Sequence, residues 1–418
     1  MQHKCIYKYL YTVTRILKSI SICFIILTSN LVDAQIPETN PNFHSADNWY
    51  FGDSIGIKLN NIDNPTLNSL LAIDEGSSVL SSSEGDLILY TDGIDVLNSN
   101  QNKLNSYPLR TFSSSIQTSI FVESDTLIYL LSTNPDTGLF MHTFRYENSL
   151  LVENTLNKKV SLTCSEALSS HFHQNNRGTF VTTLLVGSNK FQTSYFGRRG
   201  MICCPTFSSY PTVNNSQYCN IKYSPSNTLM ACSSLDDEIN LFIPNKESGE
   251  LTHLLYLEHY VPYSIEFSSN EKYLYVSSEG TTIDQYSLEP LDSDSIYNSK
   301  INVETHFNQD IGTLQLGPSG TILLPIFGSK YLGQINLPNN NGSSNGVNLN
   351  QYFLGNHAKS KYGLPNFNAS YFYTPSIDFA YTEDSWGHSY NFEGRDTLNA
   401  TSWKWIFEKG SVSDSLFT

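Results

Sequence analysis

The sequence predicts an all-β fold, a seven-bladed β-propeller, on three observations. The first is composition: of 418 residues only 15% are charged and 13% are aromatic, with 26 Tyr and 23 Phe. Ser, Asn, Thr and Tyr abound where an α-rich chain would carry long Lys- and Glu-rich runs. The second is a short strand–turn unit, seen most plainly in Pro262–Leu288. Three strands are expected there, Ser264–Phe267, Tyr273–Ser277 and Thr282–Leu288, with Ser268–Lys272 and Ser278–Thr281 as polar turns. The third is that this unit recurs, because a meander so short cannot bury its own faces and needs copies on both sides.

Taken from the N-terminus, Lys4, Lys8, Arg15 and Lys18 precede the apolar run Ile20–Leu27, and Val32-Asp33-Ala34 follows before Gln35. A basic segment, a short apolar core and a small residue at the cleavage point describe a secretory signal peptide over residues 1–34. The run is shorter than the roughly 20 residues a membrane-spanning helix needs, so no membrane span is expected after cleavage. The formal charge of −15 then becomes −18, since four bases leave with the one acid Asp33 (20 bases against 38 acids). Nucleic-acid partners need clustered Lys and Arg and are excluded.

The second strands of successive units align as Leu87–Tyr90, Leu127–Leu130, Phe180–Thr183, Leu229–Cys232, Tyr273–Val276 and Ile322–Leu324. Their starts lie 40, 53, 49, 44 and 49 residues apart. A period near 47 suits blades of four strands and not helical solenoids. Two apolar, aromatic flanks remain, Asn48–Asn60 and Gln351–Tyr373, and pairing them completes a seventh blade and closes the ring. The propeller is therefore expected over residues 48–373. Asn339–Asn350 reads as a flexible surface excursion and Ser99–Ser115 as another long connection. From residue 374 the pattern changes. Ile377–Tyr381, His388–Phe392 and Ser402–Phe407 alternate like β-sandwich strands, and 374–418 holds too few of them for both sheets.

Asn48-Trp49-Tyr50-Phe51-Gly52, Gly85 to Gly93, Gly363-Leu364-Pro365-Asn366-Phe367 and the tail from Tyr373 carry a family resemblance. The chain resembles secreted, gliding-motility-associated proteins of Bacteroidota in which a YVTN/WD-type propeller precedes PKD domains and a type IX secretion sorting domain. The resemblance implies that 374–418 is an incomplete, PKD-like (Ig-like) segment, with Glu408-Lys409-Gly410 in place of the usual Gly-Asp-Gly type of turn. It implies a secreted or cell-surface location, or a periplasmic one without the sorting domain, and no catalytic residues.

Candidate chemistry is sparse. His171-Phe172-His173 puts two imidazoles on one strand face, which could begin a metal site with Glu166 or Cys164 to extend it. Structural histidines are the simpler reading. Glu75, Asp92 and Asp95 are acids near the first unit, but a glycosidase needs two carboxylates at a set separation, which sequence cannot place. Asp236-Asp237-Glu238 and Asp292-Ser293-Asp294 read as solvated loops, since no calcium-loop spacing is present. There is no Gly-x-Ser-x-Gly elbow and no phosphate loop. Cys203-Cys204 lacks a partner cluster for a metal. Cys219 and Cys232 fall on adjacent strands, as buried thiols or as a cross-strand disulfide. No cofactor is expected. The functional expectation is a non-enzymatic recognition or adhesion scaffold for an extracellular protein or glycan. The alternative is a propeller enzyme of lactonase, lyase or glycan-hydrolase type. The two differ in one place: the enzyme requires several His, Asp, Glu or Arg side chains converging on one end of the central channel.

Overall fold

Runs of β-branched and aromatic residues broken by Ser, Asn and Gly turns pair into antiparallel meanders, and the meanders pack face to face. The computed structural model describes residues 44–59, 66–175, 177–202, 204–214, 216–278, 282–305 and 310–373, together with four later strands in backbone only. The expected signal peptide and Cys203 lie outside the described residues. Among them, six sheets follow one another, five of four strands and the third of five. Their second strands are Leu87–Thr91, Ile128–Asn134, Gly178–Leu185, Met230–Ser234, Tyr273–Ser278 and Ile322–Pro325, the same runs that set the sequence period. Pro262–Phe267, Tyr273–Ser278 and Thr282–Ser287 form the fifth sheet with Ile301–Thr305, in register Ile265 to Val276 to Asp284. The fold is an all-β propeller.

The core lies between sheets. One apolar cluster joins the first and second sheets through Leu80, Phe121 and Phe144. Others join the second to the third, the third to the fourth and the fourth to the fifth. Because each sheet buries both faces, the strands read as apolar runs, as the fully buried Leu274–Val276 does.

The flanks behave differently from the expected seventh blade. Asn48–Lys58 pairs with Thr66–Ile73, and this hairpin packs into one cluster with the sixth and first sheets. Asn48 Nδ2 donates to Ser81 Oγ and Gly85 O, both at 3.0 Å, and Tyr50 stacks on Tyr90 with centroids 4.1 Å apart. The C-terminal flank divides. Val347–Phe353 is the outer strand of the sixth sheet, and Pro365–Asn366 runs parallel to Ser77–Ser78 on the inner edge of the first. Between them the flank meets the hairpin through the Asp53 N–H on Lys359 O and the Tyr362 N–H on Asp74 O, each at 3.0 Å. The two flanks therefore touch by isolated bonds; no ladder joins them among the described residues.

Asn339–Asn350 is not a free excursion. Gly342–Asn345 forms a 3-10 turn, and residues from Val347 already belong to a strand. Asn339 Oδ1 accepts from the Asn270 N–H at 3.0 Å, Gln285 Nε2 donates to Asn340 O at 2.7 Å, and the Gly342 N–H reaches Gln285 Oε1 at 2.7 Å. An Asn-rich loop carries its own side-chain partners, which composition alone does not show. Among the described residues the tail has four strands where three were expected. Ile377–Glu383 pairs antiparallel with Tyr390–Asp396, and Lys404–Lys409 with Val412–Phe417. The missed strand starts Val412-Ser413-Asp414-Ser415, too polar to stand out by periodicity.

The inner strands have few ladder partners across the channel, apart from the Ser170–Asn368 bridge, and their amides need partners. Side chains of other sheets supply them. The Phe121 N–H donates to Ser78 Oγ at 3.2 Å, Ile265 N–H to Asn220 Oδ1 at 3.0 Å, and Leu314 N–H to Ser264 Oγ at 3.0 Å. Leu364 N–H donates to Thr313 Oγ1 at 3.0 Å, and Asn366 Nδ2 returns to Leu168 O at 2.7 Å. Gln117 reaches from the second sheet to the fourth: its Oε1 accepts the Ile221 N–H and its Nε2 donates to Ile221 O, both at 2.8 Å. Its Oε1 also accepts the Leu168 N–H at 3.3 Å, so replacement by leucine takes a partner from two buried N–H groups and one buried C=O, at about 1–3 kcal/mol for each left unpaired. Gln117→Leu is expected to lower unfolding free energy by about 2–5 kcal/mol in urea titrations. A loss under about 0.5 kcal/mol would show that the cross-channel bridge contributes nothing.

Candidate functional site

Residues just before, or at the start of, the inner strands and Ser77–Ser81, second from the inner edge of the first sheet, line one cavity at the channel mouth. Glu75 precedes Ser77–Ser81, Ile116 precedes Ser119–Glu123, and Glu166 precedes Ser169–Phe172. Tyr218 adjoins Cys219–Tyr223, Tyr263 is the second residue of Pro262–Phe267, Asp310 comes before Gln315–Leu316, and Tyr362 comes before Pro365–Asn366. Together with Ser114, Asn220 and Leu235 they line a cavity of about 420 Å³. Seven segments thus contribute, at intervals of 41, 50, 52, 45, 47 and 52 residues.

The lining holds three carboxyls and three tyrosines, and no Lys, Arg or His. Glu166 is 2% exposed, and its Oε2 accepts the Ile116 N–H at 3.3 Å. Burial, with repulsion from Glu75 behind it, pushes its carboxyl up to about 8 against the pull of that amide. Glu75 is half-buried and takes the Ser114 hydroxyl on Oε1 at 3.3 Å; burial and then Asp74 push it up to about 7. The Tyr362 hydroxyl donates to Asp310 Oδ2 at 3.0 Å, and its ring stacks on Phe327 at 4.5 Å. Burial raises the Tyr263 phenol, and Glu75 and Glu166 add to it. Lys361, next to Tyr362 in the chain, spends its charge outside the lining, 3.4 Å from both Asp53 and Asp74. At neutral pH Glu75 and Glu166 therefore stand between donor and acceptor, beside tyrosine rings.

The other sequence candidates lie elsewhere. His171 and His173 do share a face, since both rings pack on Phe180 at 5.3 Å. His171 is buried with Nδ1 2.8 Å from Phe172 O, and His173 Nδ1 accepts the Asn175 N–H at 3.1 Å. Glu166 faces the channel mouth instead, and the Cys164 thiol, which burial pushes up to about 12, donates to Asn134 O at 3.7 Å. Among the described residues no group of three or more His, Cys, Asp or Glu is placed to hold a metal ion. Asp92 is consumed by a turn, with Oδ1 accepting the Ile94 and Asp95 amides at 2.8 Å, and Asp95 pairs with Lys103 at 2.6 Å. Asp237 Oδ1 takes the Val261 amide at 2.6 Å, and Asp292 caps the short helix Ser293–Asn298. Cys219 and Cys232 are buried thiols and not a disulfide. Cys219 lies opposite Ser234 and Cys232 opposite Ile221, so the two are diagonal across the ladder.

Of the mouth residues, Glu75 and Glu166 stood out in the sequence for other reasons; Tyr218, Tyr263, Asp310 and Tyr362 did not. A usable signal existed in their spacing of 41 to 52 residues, which follows the blade period. It becomes visible once the inner strands are aligned in place of the second ones.

No helix among the described residues is long and apolar enough to cross a membrane. No family model and no curated protein sequence matches the chain. Solved structures of similar shape include a Lactobacillus plantarum protein at TM-score 0.40 and 11% identity, covering 63% of this chain and 77% of that one. The Cps50 (Swd1) β-propeller domain of Myceliophteria thermophila gives 0.42 and 8%, over 68% and 94%. A Bacteroides fragilis protein provisionally named a 6-phosphogluconolactonase gives 0.45 and 10%, over 69% and 88%.

Proposed function

We propose that the chain is an exported recognition propeller that binds a protein or glycan ligand at the mouth of its central channel. The observation that carries this is the convergence of three carboxyls and three tyrosines, drawn from successive inner-strand approaches, on one open cavity. In this reading the N-terminal hairpin and the 359–364 segment act together as a reduced seventh blade, which accounts for the seven contributions to the mouth. Export to the surface rests on the N-terminal segment 1–34, and display beside a PKD-like spacer rests on the resemblance of the tail. The test is capture on glycan and surface-protein arrays by the wild type, Tyr263→Ala, and Tyr297→Ala on the exposed outer helix. Tyr263→Ala is expected to weaken capture at least tenfold and Tyr297→Ala to leave it unchanged. A ligand held equally well by all three would sink the assignment to the mouth.

A second reading, a hydrolase or lyase at the same place, is favoured by the lifting of Glu75 and Glu166 into the neutral range, where a general acid works best. It requires turnover of chromogenic glycosides or lactones that Glu75→Gln and Glu166→Gln each abolish. Absence of turnover across such a panel leaves recognition as the function.

A further inference from the structure

We infer that the group accepted by this mouth is an organic cation, the ammonium or guanidinium head of a lysine or arginine side chain on a protein partner. The inference rests on the mouth being the ligand site and says what enters it. Glu75, Glu166 and Asp310 line the cavity with no base among its walls, so an anionic group would find no counter-charge there. Glu166 is 2% exposed and has no basic partner among the described residues. A buried carboxylate without a counter-ion is unfavourable, and an entering cation supplies the missing partner. The tyrosines add the faces on which ammonium and guanidinium groups rest, a contact that strengthens as water is excluded.

The surroundings favour a peptide over a free amine. Tyr260 is 76% exposed, three residues ahead of Tyr263, and Leu162 is 79% exposed, four ahead of Glu166. Phe112 lies two ahead of Ser114 and is 36% exposed. These apolar side chains stand on the same loops that deliver the lining, where the segments flanking a basic residue would lie.

Binding must also move protons. Glu75, Asp310, Tyr218, Tyr263, Tyr362 and Cys219 share the cavity with Glu166; Lys361 is held away by Asp53 and Asp74. A guanidinium that stabilises the ionised carboxyls expels the protons that burial keeps on them near neutrality. Its affinity therefore rises with pH, while its own charge stays fixed.

The experiment is isothermal titration of the full chain with a pentapeptide bearing one central arginine, the same peptide with citrulline, free methylguanidinium, and tri-N-acetylglucosamine. The arginine peptide is expected to bind at least tenfold tighter than the citrulline peptide. It should release protons when two buffers of different ionisation enthalpy are compared, and tighten about tenfold from pH 6.5 to 8.5. Glu166→Gln, which keeps the side-chain volume, is expected to weaken it at least tenfold and remove much of the pH dependence. Methylguanidinium binding as tightly as the peptide would overturn the protein partner. Equal binding of arginine and citrulline peptides, or binding of the neutral sugar alone, would overturn the cation while leaving the mouth as a ligand site. No cation binding, with array capture indifferent to Tyr263→Ala, would bring down both readings.

Discussion

Gly363→Ala is expected to cost on the order of 4 kcal/mol or more and to lower the melting temperature by about 8 °C or more, followed by circular dichroism. A Cβ at Gly363 would stand 1.8 Å from Glu75 O and 2.0 Å from Glu75 C, and both are backbone atoms that cannot rotate aside. The segment around it is fixed on three sides. Tyr362 N–H donates to Asp74 O at 3.0 Å, Tyr362 O accepts the Thr313 N–H at 2.8 Å, and Leu364 N–H donates to Thr313 Oγ1 at 3.0 Å. Moving the strand out to admit a methyl group breaks these bonds, at roughly 1 kcal/mol each, on top of about 1–3 kcal/mol for overpacking. It would also part Tyr362 from Glu75 at the channel mouth, so binding should fall with stability. Gly187→Ala supplies the comparison. Gly187 has φ +72 and nothing within 4 Å of an added Cβ, so only the left-handed backbone strain of about 1–2 kcal/mol applies. If Gly363→Ala melts no lower than Gly187→Ala, the closure is not as tight as its geometry.

The contrast between these glycines shows what the sequence could and could not tell. Sheet identity was legible because burial on both faces forces apolar runs, and runs such as Tyr273–Ser278 recur at a nearly constant interval. Closure was legible only as a need. Asn48–Lys58 was recognisable as a strand, but its partner proved to be Thr66–Ile73 next in the chain, because a hairpin forms locally before any distant flank arrives. The mouth was nearly invisible. Glu166 has no motif around it, and its perturbation comes from burial and from Glu75, 91 positions earlier. Tyr218, Tyr263 and Tyr362 share the aromatic composition of core tyrosines such as Tyr275 and Tyr286, which are fully buried. Which tyrosine faces the channel depends on its offset from the inner strand, and that offset is a three-dimensional fact. His171 and His173 show the opposite failure: the shared face is real, but packing on Phe180 occupies it.

Glu166→Gln is expected to stabilise the protein above neutral pH, by up to a few kcal/mol near pH 8.5, and to leave it little changed near pH 5. The sign follows from the protons each state holds. The unfolded carboxyl titrates at 4.5, whereas folding lifts Glu166 to about 8 and Glu75 to about 7. Between those values the native chain keeps protons that the unfolded chain has lost, so stability falls as pH rises, and the decline is complete above about 8. One unit of such a shift is about 1.4 kcal/mol, and water entering the open cavity reduces the full amount. Three histidines pull the other way. His142, His171 and His259 are lowered by burial from 6.5 to about 4, so the unfolded state binds more protons between those limits and stability rises with pH there. Burial also raises Asp47, Asp92 and Glu123 and lowers His253, so carboxyl and histidine contributions oppose one another below about pH 6.5, and above it the histidines no longer offset Glu75 and Glu166. The wild type should therefore show a urea midpoint that falls from pH 6.5 to 8. Glu166→Gln should flatten that limb. A wild-type midpoint that climbs steadily to pH 8.5 would mean that both carboxyls ionise freely in the folded chain. The mouth would then be an open acidic rim, without the buried pair on which its proton-linked binding depends.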